Sequence, residues 1–130
     1  HKPNPMPESV RDRCTKAHEY IFLLSKSQNY YFDVDAIKEP TRRKRSVWSV
    51  TNKPYKGAHF ACYPPDLIEP CILAGSEKGD IILDPFMGSG TTAMVAKKNS
   101  RSYIGCELHE DYASLQTDRI STIPNKLPLY

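Results

Sequence analysis

The sequence has no long hydrophobic run and no closely spaced cysteine pair, and each absence excludes a class of protein. No segment is long and apolar enough to span a membrane, and no signal peptide pattern opens the chain. The four cysteines are far apart, without a C-x-x-C pair. We therefore expect reduced thiols, no disulfide scaffold and no metal site. A cytoplasmic protein is the expectation that follows.

The chain also lacks the lysine that a phosphate-binding loop of the Walker type requires. Residues 81–92 read IILDPFMGSGTT, an apolar strand followed by an acidic turn, a glycine pair and the start of a helix. Gly90 is followed by Thr91 rather than by lysine, which argues against an ATPase or GTPase. Gly88 and Gly90 let the backbone approach a ligand, and the free N–H groups that open the helix attract an anion. The loop therefore indicates an adenosine-containing ligand.

Acidic residues at two strand ends narrow the choice of ligand. Residues 88–93 fit the dinucleotide pattern that allows alanine in third place, but four residues, beginning with Asp84, separate the strand from the first glycine. A carboxylate at that point favours an amine-bearing ligand over a pyrophosphate. A second strand is predicted at 102–106, and Glu107 at its end can accept the hydroxyl protons of a ribose. The alternative for Glu107 is a solvated strand end or a partner of the next helix.

At these positions the sequence resembles the DNA amino-methyltransferases that use S-adenosylmethionine. Residues 84–92 (DPFMGSGTT) and 103–107 (YIGCE), with Tyr112 further on, are similar to the two cofactor motifs of that family. Residues 18–26 resemble its His-Glu-strand segment, and residues 53–68 resemble the segment before its cofactor loop. The order, with the cofactor half last, matches the subgroup in which the catalytic motif precedes the cofactor motif.

The resemblance implies an α/β fold and an S-adenosylmethionine site. The expected fold is a partial Rossmann-like methyltransferase sheet with an antiparallel edge hairpin and its central strands missing. The resemblance implies methyl transfer to N6 of adenine or N4 of cytosine in double-stranded DNA, with the target base flipped out of the helix. It assigns these residues to the cofactor site: Asp84, Pro85, Phe86, Gly88, Ser89, Gly90, Thr91, Glu107, His59 and Phe60.

The family's catalytic loop, an Asp, Asn or Ser followed by Pro-Pro and an aromatic residue, is absent from this sequence. The pair Pro64-Pro65 is preceded by Tyr63 and followed by Asp66, which reverses the motif. We interpret the pair as the lead-in to a helix with Asp66 as its N-cap. No catalytic residue is therefore assigned. Because the first residue is His rather than Met, we expect the C-terminal piece of a longer protein, inactive by itself.

The net charge of +3 hides an asymmetry between the two halves of the chain. Residues 1–65 carry twelve Lys and Arg against six Asp and Glu, whereas residues 66–130 carry six against nine. The family places its DNA-recognition segment within the basic half. The residues assigned to DNA contact are Arg42, Arg43, Lys44, Arg45 and Trp48. The alternatives are a solvated connector and a short strand that buries the indole.

A single partial methyltransferase domain is predicted, with four parts. Residues 1–35 form a loop and the edge hairpin, 36–58 a basic connector or target-recognition segment, 59–123 the cofactor-binding part and 124–130 a tail. The hairpin pairs predicted strands at 20–25 and 30–33 across a short connection. Helices are predicted near 67–75, 91–99 and 110–122.

The missing central strands leave a gap in the predicted sheet, so we expect self-association or pairing with the missing N-terminal part. Double-stranded DNA and a restriction endonuclease of the same system are the other expected partners. Two alternatives stay open. One is a fragment of an RNA base methyltransferase, whose catalytic motif follows a similar loop. The other is a non-catalytic remnant that binds cofactor or DNA.

Overall fold

A computed structural model of the chain describes residues 1–51 and 62–124. Its elements, in chain order, are α1 (Pro65–Gly75), β1 (Ile81–Asp84), α2 (Thr91–Lys98), β2 (Ser102–Gly105) and α3 (Tyr112–Ser121). Residues 1–51 contain an isolated bridge between Glu39 and Arg42 but no helix or strand. Within the two described ranges, no helix has the length and apolar character needed to cross a membrane.

The strands β1 and β2 form a two-stranded parallel sheet. Their register runs from Ile81 opposite Ser102 to Asp84 opposite Gly105. The helix α2 connects them, so the predicted strand, helix and strand unit is confirmed. Because parallel strands end at the same edge of a sheet, the loops that follow β1 and β2 are neighbours.

Two small clusters of buried side chains hold these elements together. The first lies among α1, α2 and β1 and consists of Ile72, Val95 and Ala96, with Ile68, Ile82 and Met94 packed against them. The second joins the loop after β1 to α2 and α3 and consists of Met87, Ala93 and Ile120. Burial of one such large apolar side chain contributes about 1.5–3 kcal/mol. The loop after β1 is therefore anchored by its own methionine.

On the other face of the sheet, the apolar side chains are exposed among the residues that the structure describes. Ile81, Leu83 and Ile104 are 63%, 64% and 54% exposed, while Ile82 packs on the helices. A groove of about 430 Å³ runs beside β1, lined by Ile21, Tyr63, Leu67, Ile68, Cys71, Ile72, Gly75, Ile82, Leu83, Asp84 and Thr92. The groove beside β1 agrees with the expectation that strands are missing from the sheet.

The predicted edge hairpin does not form. Residues 20–25 and 30–33 contain no strand, and the side chains of Phe22 and Leu24 are 77% and 88% exposed. The reason is that a two-stranded hairpin is marginal unless a further strand or a packed layer supports it. The alternating apolar residues of 20–33 therefore do not pair with a sheet in the described part of the chain.

The predicted helices are confirmed, but one detail of α1 is wrong. The helix α1 begins at Pro65, and Pro64, not Asp66, occupies the N-cap position. Proline suits the first helical position because its missing N–H has no intrahelical partner there. Asp66 lies in the first turn, where its negative charge interacts favourably with the positive end of the helix dipole.

Candidate functional site

The ends of the two strands are joined by backbone hydrogen bonds. The Cys106 N–H donates to the Asp84 carbonyl over 2.9 Å, and the Met87 N–H donates to the Cys106 carbonyl over 2.8 Å. The loop after β1 therefore folds over the end of β2. Residues 85–90, which we call the cofactor loop, lie between the acidic residues that end or follow the two strands.

Two glycines give the cofactor loop its shape. Gly88 has φ of +49° and Gly90 has φ of +80°, in the left-handed region that costs other residues about 1–2 kcal/mol. Gly90 is also the N-cap of α2, and its N–H donates to the Met87 carbonyl over 2.9 Å. These angles explain why glycine occupies both positions, and close approach of a ligand to this backbone stays a prediction.

Glu107 holds the cofactor loop through its carboxylate. Its Oε2 accepts the Gly88 N–H over 2.7 Å, and its Oε1 accepts the N–H groups of Leu108 and His109, each over 2.9 Å. These N–H groups, that of His109 foremost, hold the pKa of Glu107 below its ordinary value. The carboxylate has about four lone-pair positions, so one remains for a ligand hydroxyl.

Asp84 is half-buried at the end of β1 and is held in place by two contacts. Its Oδ1 accepts the Phe86 N–H over 3.0 Å, and its Oδ2 accepts the Tyr63 hydroxyl over 3.2 Å. Tyr63 Oη also lies 2.5 Å from Thr92 Oγ1. A phenol has one proton, so when Tyr63 donates to Asp84 the Thr92 hydroxyl donates to Tyr63. Burial raises the pKa of Tyr63, and the Asp84 charge adds to the shift.

Tyr63 was not predicted as a site residue, although it lies in residues 53–68, which resemble the segment before the family's cofactor loop. Two side chains of α3 were not predicted either. Gln116 Nε2 donates to the Gly88 carbonyl over 2.7 Å, and Arg119 Nη1 donates to the Ser89 carbonyl over 3.1 Å. Their spacing of three residues places them on one helix face, but that pattern is too common to indicate a site.

Eight of the ten residues predicted to bind the cofactor lie within the described part of the chain. The structure joins the loop that contains seven of them to the eighth, Glu107, through the Gly88 N–H. Phe86, after β1, and Leu108, after β2, are 87% and 91% exposed. Exposed apolar side chains beside converging polar groups are typical of a ligand site. The predicted residues at positions 59 and 60 lie outside the described residues.

The residues predicted to contact DNA lie in a segment without helix or strand, so the alternative of a short strand around the indole is wrong. Arg42 pairs with Glu39 over 2.5 Å. The Lys44 ammonium lies 4.8 Å from the centre of the Trp48 ring, and the indole N–H donates to the Arg45 carbonyl over 2.7 Å.

Comparison with known proteins identifies a family that matches this chain. The family of N6 and N4 methyltransferases, described as DNA methylase, matches residues 1–118. Type II methyltransferase M.XycI of Xanthomonas campestris pv. cyanopsidis is 49% identical over 124 residues, which cover 92% of this chain and 41% of the relative. Type II methyltransferase M.SmaI of Serratia marcescens is 51% identical over 126 residues, which cover 92% and 43%.

Among solved structures, the M1.HpyAVI–SAM complex matches this chain with a TM-score of 0.69 at 28% identity. The match covers 92% of this chain and 57% of that one. The chain thus spans about two fifths of the length of the curated relatives that it matches. These matches favour the DNA interpretation over the RNA alternative.

Proposed function

Because the chain belongs to the DNA methylase family, we propose that it is the S-adenosylmethionine-binding part of a site-specific DNA methyltransferase. The whole enzyme transfers the sulfonium methyl group to N6 of adenine or N4 of cytosine. The observation that carries the proposal is the placement of Asp84 and Glu107 at neighbouring strand ends, with the cofactor loop between them.

The charges of this site suit the charges of S-adenosylmethionine. The Asp84 carboxylate binds the ammonium of the methionine portion, and the first N–H groups of α2 attract its carboxylate. Glu107 accepts a ribose hydroxyl with its remaining lone pair. Phe86 and Leu108 supply apolar surface for the adenosine. The proposed site also includes Pro85, Gly88, Ser89, Gly90, Thr91, His59 and Phe60.

The chemistry of the transfer needs little from this part of the enzyme. The methyl group would pass from the sulfonium sulfur to the target amino nitrogen, and a proton of that nitrogen would be released to solvent. The cofactor supplies the activated methyl group, so orientation of the reactants carries much of the rate. We assign no catalytic residue to this chain, and the group that holds the target base comes from the remainder of the enzyme.

DNA contact is assigned to the basic segment within residues 36–58. Arg43 and Arg45 are exposed, and Lys44 over Trp48 joins a cation to a ring that can stack on a base. Double-stranded DNA is the proposed substrate. We also propose a cytoplasmic location and a restriction endonuclease of the same system as partner. Each phosphate that this segment neutralises changes the slope of log K against log salt by about −0.9.

The open edge of β1 is a further part of the proposal. The groove beside it is lined mainly by apolar side chains, including Leu67, Ile72 and Leu83. We propose that the remainder of the enzyme covers this groove, because the relatives are more than twice as long as this chain. Sedimentation equilibrium decides between that occupant and a second copy, since a reversible dimer of the chain alone indicates self-association.

Calorimetric titration of S-adenosylmethionine into the chain tests the proposed function. We expect a saturable heat that Asp84→Asn reduces at least about tenfold in affinity, since the substitution removes a charge that faces the ligand ammonium. Asp80→Asn is the matched control, because Asp80 lies just before the opposite end of β1 and caps the Glu77 N–H. A folded chain that gives no heat, or equal affinity in the Asp84 variant, contradicts the proposal.

A further inference from the structure

Two side chains of α3 donate hydrogen bonds to the cofactor loop and to the start of α2. Gln116 donates to the Gly88 carbonyl over 2.7 Å. Arg119 Nη1 carries two hydrogens and shares them among three acceptors, the Ser89 carbonyl over 3.1 Å, Ser89 Oγ over 2.6 Å and Thr91 Oγ1 over 3.2 Å. Four loop or helix-start acceptors are thus bound from one helix face.

These hydrogen bonds fall on a part of the loop that Glu107 also holds. Both backbone polar groups of Gly88 are hydrogen-bonded: its N–H donates to the Glu107 carboxylate, and its carbonyl accepts from Gln116. Ser89 and Thr91 are 5% and 2% exposed, so the Arg119 bonds lie in a site that water reaches poorly. Hydrogen bonds from a charged donor are about twice as strong as neutral ones.

We propose that Gln116 and Arg119 are positioning residues for the cofactor loop, and that docking of α3 is coupled to cofactor binding. The identity of the cofactor rests on the proposed function. The physical reason is that the loop conformation that accepts the hydrogen bonds of α3 is also the conformation that binds the ligand. A ligand that favours that conformation strengthens the docking of α3, and by reciprocity the docked helix strengthens ligand binding by the same factor.

The helix α3 has other anchors, so the role of Arg119 can be separated from the folding of the helix. Ile120 lies in the buried cluster with Met87 and Ala93. Lys97 Nζ on α2 donates to the Ile120 carbonyl over 3.1 Å, away from the loop. Lys97→Met therefore removes a tie between α2 and α3 without touching a loop acceptor, and it is the matched control for Arg119→Met.

The first experiment needs no ligand. Amide hydrogen exchange of Gly88 and Gly90 is measured in the wild type, Arg119→Met, Arg119→Lys and Lys97→Met. We expect exchange at both glycines to rise about tenfold in Arg119→Met, in line with the loss of charged hydrogen bonds, and to recover in part in Arg119→Lys. Unchanged glycine exchange in Arg119→Met, or an equal rise in Lys97→Met, overturns the positioning role.

The second experiment adds S-adenosylmethionine to the same proteins and to Gln116→Leu. We expect the cofactor to slow exchange of the α3 amides in the wild type, and the Arg119→Met and Gln116→Leu variants to bind it about tenfold more weakly. If the wild type binds and these variants bind equally well, the coupling is overturned and the proposed function stands. If the folded wild type does not bind, the proposed function and the coupling both fail, while the exchange data of the first experiment still decide the positioning role.

Discussion

Met87 packs directly over Gly105, so that a methyl group built on this glycine would stand 1.7 Å from the methionine sulfur. Gly105 is the last residue of β2, and Met87 belongs to the cofactor loop that follows β1. Because Gly105 has no side chain, the loop packs closely on the end of β2, and the Met87 N–H donates to the Cys106 carbonyl. A larger residue at position 105 would therefore have to displace the Met87 side chain.

Gly105→Ala is expected to destabilise the chain by about 1–3 kcal/mol, because overpacking displaces the loop anchor. Urea denaturation measures this difference. Gly75→Ala is the control, since a methyl group there meets no atom within 4 Å. Adding Met87→Ala to the Gly105 variant should recover part of the loss in a double-mutant cycle. Additive effects of the two substitutions would count against the contact as the cause.

Glu107→Gln is expected to change how stability depends on pH. The N–H groups of His109, Gly88 and Leu108 hold the pKa of Glu107 below its ordinary value of 4.5 in the folded chain. Its stabilising contribution is therefore complete above that value and is lost as the pH falls through the folded pKa. Thermal melting between about pH 6 and pH 3 should show a smaller acid loss in the variant than in the wild type.

The control for this pH measurement is Glu110→Gln, which changes an exposed acid in the turn before α3. The Gly88 amide resonance, followed by NMR, should titrate with Glu107 in the wild type and stay constant in Glu107→Gln. Identical pH profiles for the wild type and Glu107→Gln would contradict the hydrogen-bond account.

Tyr63→Phe removes the hydroxyl that joins Asp84 to Thr92. We expect a loss of about 0.5–1.5 kcal/mol in the free energy of unfolding, the usual net contribution of a hydrogen bond. Cofactor affinity should also fall, because the Asp84 carboxylate loses a contact that orients it. Tyr103→Phe, at an exposed position of β2, serves as the control. Equal stability of the two variants in urea would show that the Tyr63 hydroxyl contributes nothing.

Arg101→Met tests a buried cation just before β2, which links the end of α1 to the turn after α2. Arg101 is 6% exposed, and its guanidinium donates to the carbonyls of Ser76 and Asn99, each over 2.7 Å. The substitution leaves these acceptors unpaired, which should cost about 2–4 kcal/mol. Arg43→Met, at an exposed position, should change stability by less than about 0.5 kcal/mol. Chemical denaturation of both variants measures the difference, and equal midpoints would contradict the assigned role.

The strand, loop and helix of residues 81–98 could be predicted because their signals are local. Three apolar residues, a glycine pair and a helix-forming run each restrict the backbone where they occur. The predicted hairpin at residues 20–33 failed for the opposite reason. Its alternating apolar residues need strands to pair with, and within the described part of the chain no strand pairs with them.

The sequence by itself determined the cofactor loop, the two acidic strand ends and the family, because motif residues act through backbone conformation and charge at fixed spacing. Only the tertiary structure decided what holds that loop. Tyr63, Gln116 and Arg119 lie far from it along the chain and reach it through packing of α1 and α3. Contacts of that kind depend on which helix faces meet, and the spacing of residues within one segment does not specify it.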